Sequence, residues 1–302
     1  MHDPASLPRR DLLRLLATAG LVLPAASCAS GWFARRDPDL RISLAEWSLH
    51  RKLFAGEVDH LDFPKIARER YDIGGIEYVN TFFKEHAEDQ AYLQAMKDAA
   101  DRHGVRSLLI MVDGEGNLGG SEADKAVANH HKWIRAAHFL GCHSIRVNAG
   151  GDGTPEEVAA RASASLRSLA EYGAPLGINV IVENHGGSSS NGTWLAGVIE
   201  GAEHPGVGTL PDFGNFRISA TESYDRYKGV EELMPFAKAV SAKSHEFDEA
   251  GNEAHIDFAR MLEIVRAAGY RGYIGIEYEG SGLDEFEGIA KTQALLKSLG
   301  AV

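Results

Sequence analysis

A chain of 302 residues, 44% of them hydrophobic and 25% charged, has the composition of a globular protein and suffices for one large domain or two small ones. Its 43 acidic residues outnumber its 31 basic ones, giving a net charge of −12. That balance argues against a nucleic-acid partner, because such binding depends on Lys and Arg neutralising phosphates.

The N-terminus reads as an address rather than as fold. Arg9 and Arg10 precede a modest apolar stretch, 15–23, and then Pro24, Ala25, Ala26, Ser27 and Cys28. A charged start, a short apolar core and small residues make an export signal, here of the twin-arginine type. The apolar stretch is shorter than the roughly 20 residues needed to span a bilayer. Residues 1–29 are therefore expected to be a cleavable signal segment and 30–39 a linker. Export would place the body of the protein in the periplasm, held to the membrane only through a lipid anchor where the lipobox ending at Cys28 is used. Cleavage at an Ala-x-Ala-like site is the alternative. Beyond Cys28 the sole cysteine is Cys142, so the exported domain has no internal disulfide. Cys142 is expected to be a small apolar residue just before a strand.

From residue 40 onward, strand-like and helix-like runs alternate. A strand at 40–47 ends in Trp47, Ser48 and His50, which could floor a pocket; a helix at 64–70 leads to a strand at 75–80, and a helix at 89–102 to a strand at 107–113. The following loop, 113–121, is rich in glycine and acidic residues and reads either as a ligand-covering loop or as a mobile surface loop. Next come a helix at 121–140, a strand at 144–148 and a helix at 155–172. Arg146 lies inside the buried-looking strand and needs a carboxylate partner; a structural ion pair is favoured over a substrate clamp.

The run 177–187 is the most informative. Its Val/Ile segment reads as a parallel strand buried on both faces, and it ends in Glu183, Asn184, His185, Gly186 and Gly187. The runs 207–212, 239–245 and 273–277 repeat that grammar, so that Glu183, Asp212, His245 and Glu277 end successive strands at intervals of 29, 33 and 32 residues. Eight βα units in about 250 residues would average roughly 31. No break in composition divides 40–302. The expected fold class is therefore α/β, a single (β/α)8 TIM barrel over 40–302, with a doubly wound open sheet as the alternative.

In such a barrel the active site lies at the C-terminal ends of the strands. Three carboxylates and one imidazole make a hard, mainly oxygen site suited to one divalent ion, Mn²⁺, Mg²⁺, Co²⁺ or Zn²⁺. Without a cation the converging carboxylates would repel one another and raise their own pKa values. The bland alternative is that all four are separate salt-bridge partners.

These residues resemble the metal site of the xylose isomerase-like TIM-barrel superfamily, which includes ketose 3-epimerases, hydroxypyruvate isomerase, inosose dehydratase and AP endonucleases. The segments ENHGG, PDFGNF, KSHEFD and GYIGIEYEG are most similar to its sugar phosphate isomerase/epimerase group. The resemblance implies a metal held by Glu183, Asp212, His245 and Glu277, with Glu183 and Glu277 as the pair that removes and returns a proton. It departs from the ketose epimerases at Asn215, where they carry a histidine, and in lacking an arginine after His245. His185 and Lys243 could supply the missing polarisation, Lys243 being equally readable as a salt-bridge partner. Trp47, Glu77, Asn148, Asn215 and Arg217 are assigned to substrate binding, and Tyr78, Trp194 and Phe216 to stacking or packing.

The loops after the seventh and eighth strands carry Glu246, Asp248, Glu249, Glu279, Asp284 and Glu285, which repel a phosphate dianion. The expected substrate is thus a neutral carbohydrate, and the expected reaction a metal-dependent isomerisation or epimerisation through an enediolate. A lyase or dehydratase acting on a keto-sugar or 3-keto-glycoside, and a non-catalytic sugar-binding protein, are the alternatives. Homo-oligomerisation is left open.

Overall fold

The computed structural model describes residues 40–302. The expected signal segment (1–29), the expected lipobox at Cys28 and the expected linker (30–39) lie outside the described residues.

Strand side chains alternate between two faces, and here the two faces have different company. In β1 (Leu40–Ala45), Leu40, Ile42 and Leu44 join the large apolar layer between strands and helices, whereas Ser43 bonds across to Glu77 and Ala45 joins a separate inner cluster. The same alternation recurs in β2 (Gly75–Val79), β3 (Arg106–Met111), β4 (Ser144–Val147), β5 (Asn179–Glu183), β6 (Val207–Leu210), β7 (Val240–Ser244) and β8 (Gly272–Tyr278). All are parallel, in the order β6-β5-β4-β3-β2-β1-β8-β7. The gap between β6 and β7 is closed by the parallel bridges Thr209–Ala237 and Asp212–Ser241, with Ser241 N donating to Pro211 O at 3.0 Å. The result is the expected (β/α)8 barrel. β6 stops at Leu210 because Pro211 has no N–H to donate, though its carbonyl still serves the closure.

The helices are α1 (His50–Phe54), α2 (Phe63–Tyr71), α3 (Gln90–Arg102), α4 (Ala123–Leu140), α5 (Pro155–Gly173), α6 (Gly192–Ala202), α7 (Arg226–Leu233), α8 (Phe258–Ala267) and α9 (Glu285–Ser298). Their starts are written in the sequence. Asp89, Asn191, Asp225, Asp257 and Asp284 each accept a first-turn amide, and Thr154 with Glu157 forms a full capping box ahead of Pro155.

Two cores result. The outer one packs strands against helices and contains Trp133, Phe63, Tyr78 and Phe213; the inner one is Ala45, Val79, Leu109, Met111, Ile181, Leu210 and Ala239, with Trp47 and Phe82 lying on it. Cys142 is buried in the outer core, as its sequence context implied. The loop 113–121 is tied down: Trp133 Nε1 donates to Glu115 Oε1 at 2.9 Å and Lys132 Nζ pairs with the same oxygen at 3.0 Å. Among the described residues, no helix is long and apolar enough to cross a membrane.

Candidate active site

β5, β6 and β8 deliver Glu183, Asp212 and Glu277 to one point at the C-terminal end of the barrel. All three are buried, and one carboxylate oxygen from each lies within 4.8 Å of the other two. Each is held differently. Asp212 Oδ1 accepts the amides of Gly214 and Asn215, both at 2.8 Å. Glu183 Oε1 accepts Asn215 Nδ2 at 2.9 Å, so Asn215 links two of the carboxylates. Ser241 Oγ stands 2.7 Å from both Asp212 Oδ2 and Glu277 Oε2. One hydroxyl hydrogen can serve only one of these oxygens, so in the metal-free site the second contact needs a proton on a carboxylate.

Two buried cations share the space. Lys243, inward on β7, has Nζ 3.2 Å from Glu279, 3.5 Å from Glu277 and 3.9 Å from Asp212. Arg146, inward on β4, pairs through Nη1 with Asp113 at 2.8 Å and approaches Glu183 Oε2 through Nε at 2.9 Å. The alignment of that second contact is too poor for a hydrogen bond, which leaves Glu183 Oε2 buried without a donor. The carboxylate demand of Arg146 is thus met from the β3 end and from the site itself.

The electrostatics follow from this packing. Burial, reinforced by mutual repulsion, pushes Glu183 and Asp212 well above the usual carboxylate range, despite Arg146 and Lys243. Burial alone would raise Glu277 too, but Lys243, the Ser241 hydroxyl and Arg146 together hold it below its ordinary value. Burial opposes the charge on Lys243, yet the surrounding carboxylates keep it firmly protonated.

Three buried carboxylates, one with an oxygen lacking a donor, fit a hard divalent cation. Lys243 and Arg146 offset part of their negative charge, which weakens such a site relative to a bare triad.

The other expected site residues are placed variously. His245 follows β7 but is not among the three clustered ligands; its backbone amide donates to Glu253 at 3.2 Å. His185 opens to solvent at the mouth beside Gly186 and Gly187, whose positive φ values turn the chain away. Its imidazole pKa is lowered by the dense rim around it and by Arg146 and Lys243. Asn148 donates to Asp113 at 2.7 Å, leaving its buried Oδ1 unpartnered. Trp47 stacks on His50, ring centroids 4.8 Å apart, and meets Phe54 and Phe82 to form an aromatic wall.

Glu77 and Arg217 are not brought to this cluster. Glu77 lies deeper in the barrel, bonded to Ser43 at 2.6 Å and set against Gly275, one inward position before Glu277. Arg217 is exposed in the excursion after β6. Tyr78 and Phe216 are packing residues: Tyr78 points outward from β2 among His60, Phe63 and Phe83, and Phe216 packs on Gly229. Trp194 sits on α6 with Nε1 bonded to Pro155 O. Sequence reasoning missed Ser241, Asn184 and Phe82; a small polar residue inside a buried apolar strand was the available signal for Ser241.

Residues 67–299 match the family described as xylose isomerase-like TIM barrel. The chain belongs to that family. Among solved structures, D-psicose 3-epimerase from Clostridium cellulolyticum H10, with D-tagatose, superposes with a TM-score of 0.65 at 12% identity, over 86% of this chain and 98% of that one. A xylose isomerase-like TIM barrel protein from Mycobacterium smegmatis, in complex with magnesium, gives 0.65 at 15% identity, over 86% and 96%. At these identities the likeness concerns the fold. The C-glycoside deglycosidase alpha subunit of Arthrobacter globiformis is 41% identical over 49 residues, a stretch that spans 16% of this chain and 14% of that subunit.

Proposed function

We propose that this protein is a divalent-metal-dependent isomerase or epimerase of a neutral carbohydrate. The observation that carries the reading is the convergence of buried Glu183, Asp212 and Glu277 at the C-terminal end of the barrel. These three would hold the ion, with His245 as the proposed fourth ligand. When bound, the ion supplies polarisation of a substrate carbonyl and stabilises charge on the adjacent oxygens.

The chain's own residues do the rest. Glu183 and Glu277 project from β5 and β8 and form the proposed pair that removes a proton from the carbon next to the carbonyl and returns one. Return to the opposite face of that carbon epimerises; return to the neighbouring carbon, through the enediolate, isomerises. Asn215 orients Glu183, Ser241 orients Glu277, and Lys243 holds negative charge in the site as protons move. His185 can donate to a substrate oxygen at the mouth, and Trp47 offers a face for sugar C–H groups. A neutral substrate is favoured because Arg146 and Lys243 are already paired with carboxylates and Glu279 adds further negative charge.

A second reading, a lyase releasing the aglycone of a keto-glycoside, has the local match to the C-glycoside deglycosidase subunit in its support. The same proton abstraction serves both, since an enediolate bearing a leaving group on the next carbon expels it.

The test is metal analysis followed by incubation with keto-sugars and keto-glycosides in deuterium oxide, for the wild type and Glu183→Gln. About one ion per chain and deuterium incorporation that the variant abolishes are expected. Aglycone release would select the second reading. A metal-free wild type that exchanges no deuterium with any substrate would end both and leave a sugar-binding protein.

A further inference from the structure

The opposite end of the barrel holds a cavity of about 920 Å³, in the size range of small-molecule sites. Its lining comes from the N-terminal ends of strands: Arg41 on β1, Arg106 at the start of β3, His143 just before β4, Lys238 just before β7 and Arg271 just before β8. In a chain with net charge −12, this is a concentration of positive charge. Among the described residues, the one acidic residue in the lining is Glu77.

Three of these cations, Arg41, Arg106 and Lys238, are not used up by ion pairs among the described residues. Arg41 lies over the ring of Tyr273 at 4.6 Å, and among the described residues neither it nor Arg106 nor Lys238 pairs with a carboxylate. Lys238 is half-buried, and burial lowers its pKa with no acid offsetting the effect. Its charge reaches His143, whose own pKa is lowered by burial and by Lys238. Glu77 is 1% exposed, and Ser43 donates to its Oε1 while Oε2 has no partner. In its protonated form Glu77 would present a donor from Oε2, not a competing charge.

We propose that this cavity binds a small polyanion, through carboxylate or phosphate groups held by Arg41, Arg106 and Lys238. Guanidinium forks match both groups bidentately, and a half-buried lysine adds a point charge. The site lies at the far end of the barrel from the three carboxylates and does not depend on the reaction assigned to them.

Calorimetric titration of the full chain at low salt with tricarballylate and with inorganic phosphate tests it, beside Arg106→Gln/Lys238→Gln and, as a control at the other mouth, Glu183→Gln. Glutamine keeps much of the Lys238 stem that packs over Gly208, and circular dichroism checks that the double variant folds. Expected are saturable binding that weakens with added salt, a loss of at least about tenfold in the double variant, equivalent to roughly 1.4 kcal/mol, and no change in Glu183→Gln. Tighter tricarballylate would mark a carboxylate ligand and tighter phosphate a phosphorylated one. Two results would overturn the proposal: no binding of either anion, or equal binding by the double variant.

Discussion

Asn184 clasps the backbone of Asp212: its Oδ1 accepts the Asp212 amide at 2.8 Å and its Nδ2 donates to the Asp212 carbonyl at 3.0 Å. Asn80 does the same for Asp113, with both bonds at 2.9 Å. Each asparagine directly follows a strand, β5 or β2, and fixes the residue that ends the next strand's run. A backbone segment that has left the β-ladder still needs partners for its N–H and C=O, and a side-chain amide supplies both at once.

Asn184→Ala would leave those groups buried and unpaired. A loss of about 2 kcal/mol in urea unfolding is expected, together with weaker divalent-ion binding as Asp212 drifts. Unchanged stability and unchanged metal content would show that the clasp is incidental.

Much of the barrel was legible because its physics is periodic. Apolar runs ending in Glu183, Asp212, His245 and Glu277, at intervals of 29, 33 and 32 residues, located the strands and the end of the barrel where the carboxylates converge, and helices were read at 89–102 and 155–172, where Asp89 and Thr154 cap the first turns. Direction was less legible. Glu77 and Tyr78 both lie in β2, yet alternation sends one inward and the other to the helix layer, and the run alone did not say how deep Glu77 would sit. Arg217 was hidden for another reason: it lies in an excursion with no periodicity. The pairing of Lys243 with Glu279, from a neighbouring strand's end, depends on barrel closure and not on local sequence.

Lys243 balances carboxylates that otherwise repel. In metal-free protein at pH 8, Lys243→Met is expected to destabilise the fold by about 3–5 kcal/mol, since it leaves buried charge unpaired. Without the ammonium the carboxylate pKa values rise further, so the native state binds protons that the unfolded state has released. The deficit should therefore shrink as pH falls toward 4, and a divalent ion should recover part of it at pH 8. Chemical denaturation at both pH values, with and without Mg²⁺, measures this. A deficit equal at both would contradict the assigned role.

Glu77 gives a second pH signature. Burial raises its pKa from 4.5 to about 7, with the Ser43 hydrogen bond opposing and the charges of Glu277 and Glu183 adding. Between those values the native state holds a proton that the unfolded state has lost, so this group's contribution falls as pH rises through the window and levels off above it. Glu77→Gln has no proton to lose. Its stability relative to wild type should improve by roughly 3 kcal/mol between pH 4 and pH 8, read from denaturant midpoints. A parallel pH dependence in the two proteins would place the Glu77 pKa near its ordinary value.

The loop that carries His245 is organised by Glu253. This buried carboxylate accepts the amides of His245 at 3.2 Å and Glu246 at 3.4 Å through one oxygen, and those of His255 at 2.6 Å and Ile256 at 2.5 Å through the other. The loop after β8 is drawn against it: Gly280 sits so close to the His245 carbonyl that any Cβ would collide. If His245 completes the metal site, Glu253 positions it from behind, and Glu253→Ala should weaken divalent-ion affinity by about 10–100-fold, as loss of such support commonly does. His245→Ala should weaken it at least as much, while combining the two should cost little more than His245→Ala alone, because the support acts through the ligand. Competition titration with a metallochromic chelator gives all three affinities. Full affinity in His245→Ala would leave Glu183, Asp212 and Glu277 as the whole protein contribution to the site and reduce Glu253 to a loop anchor.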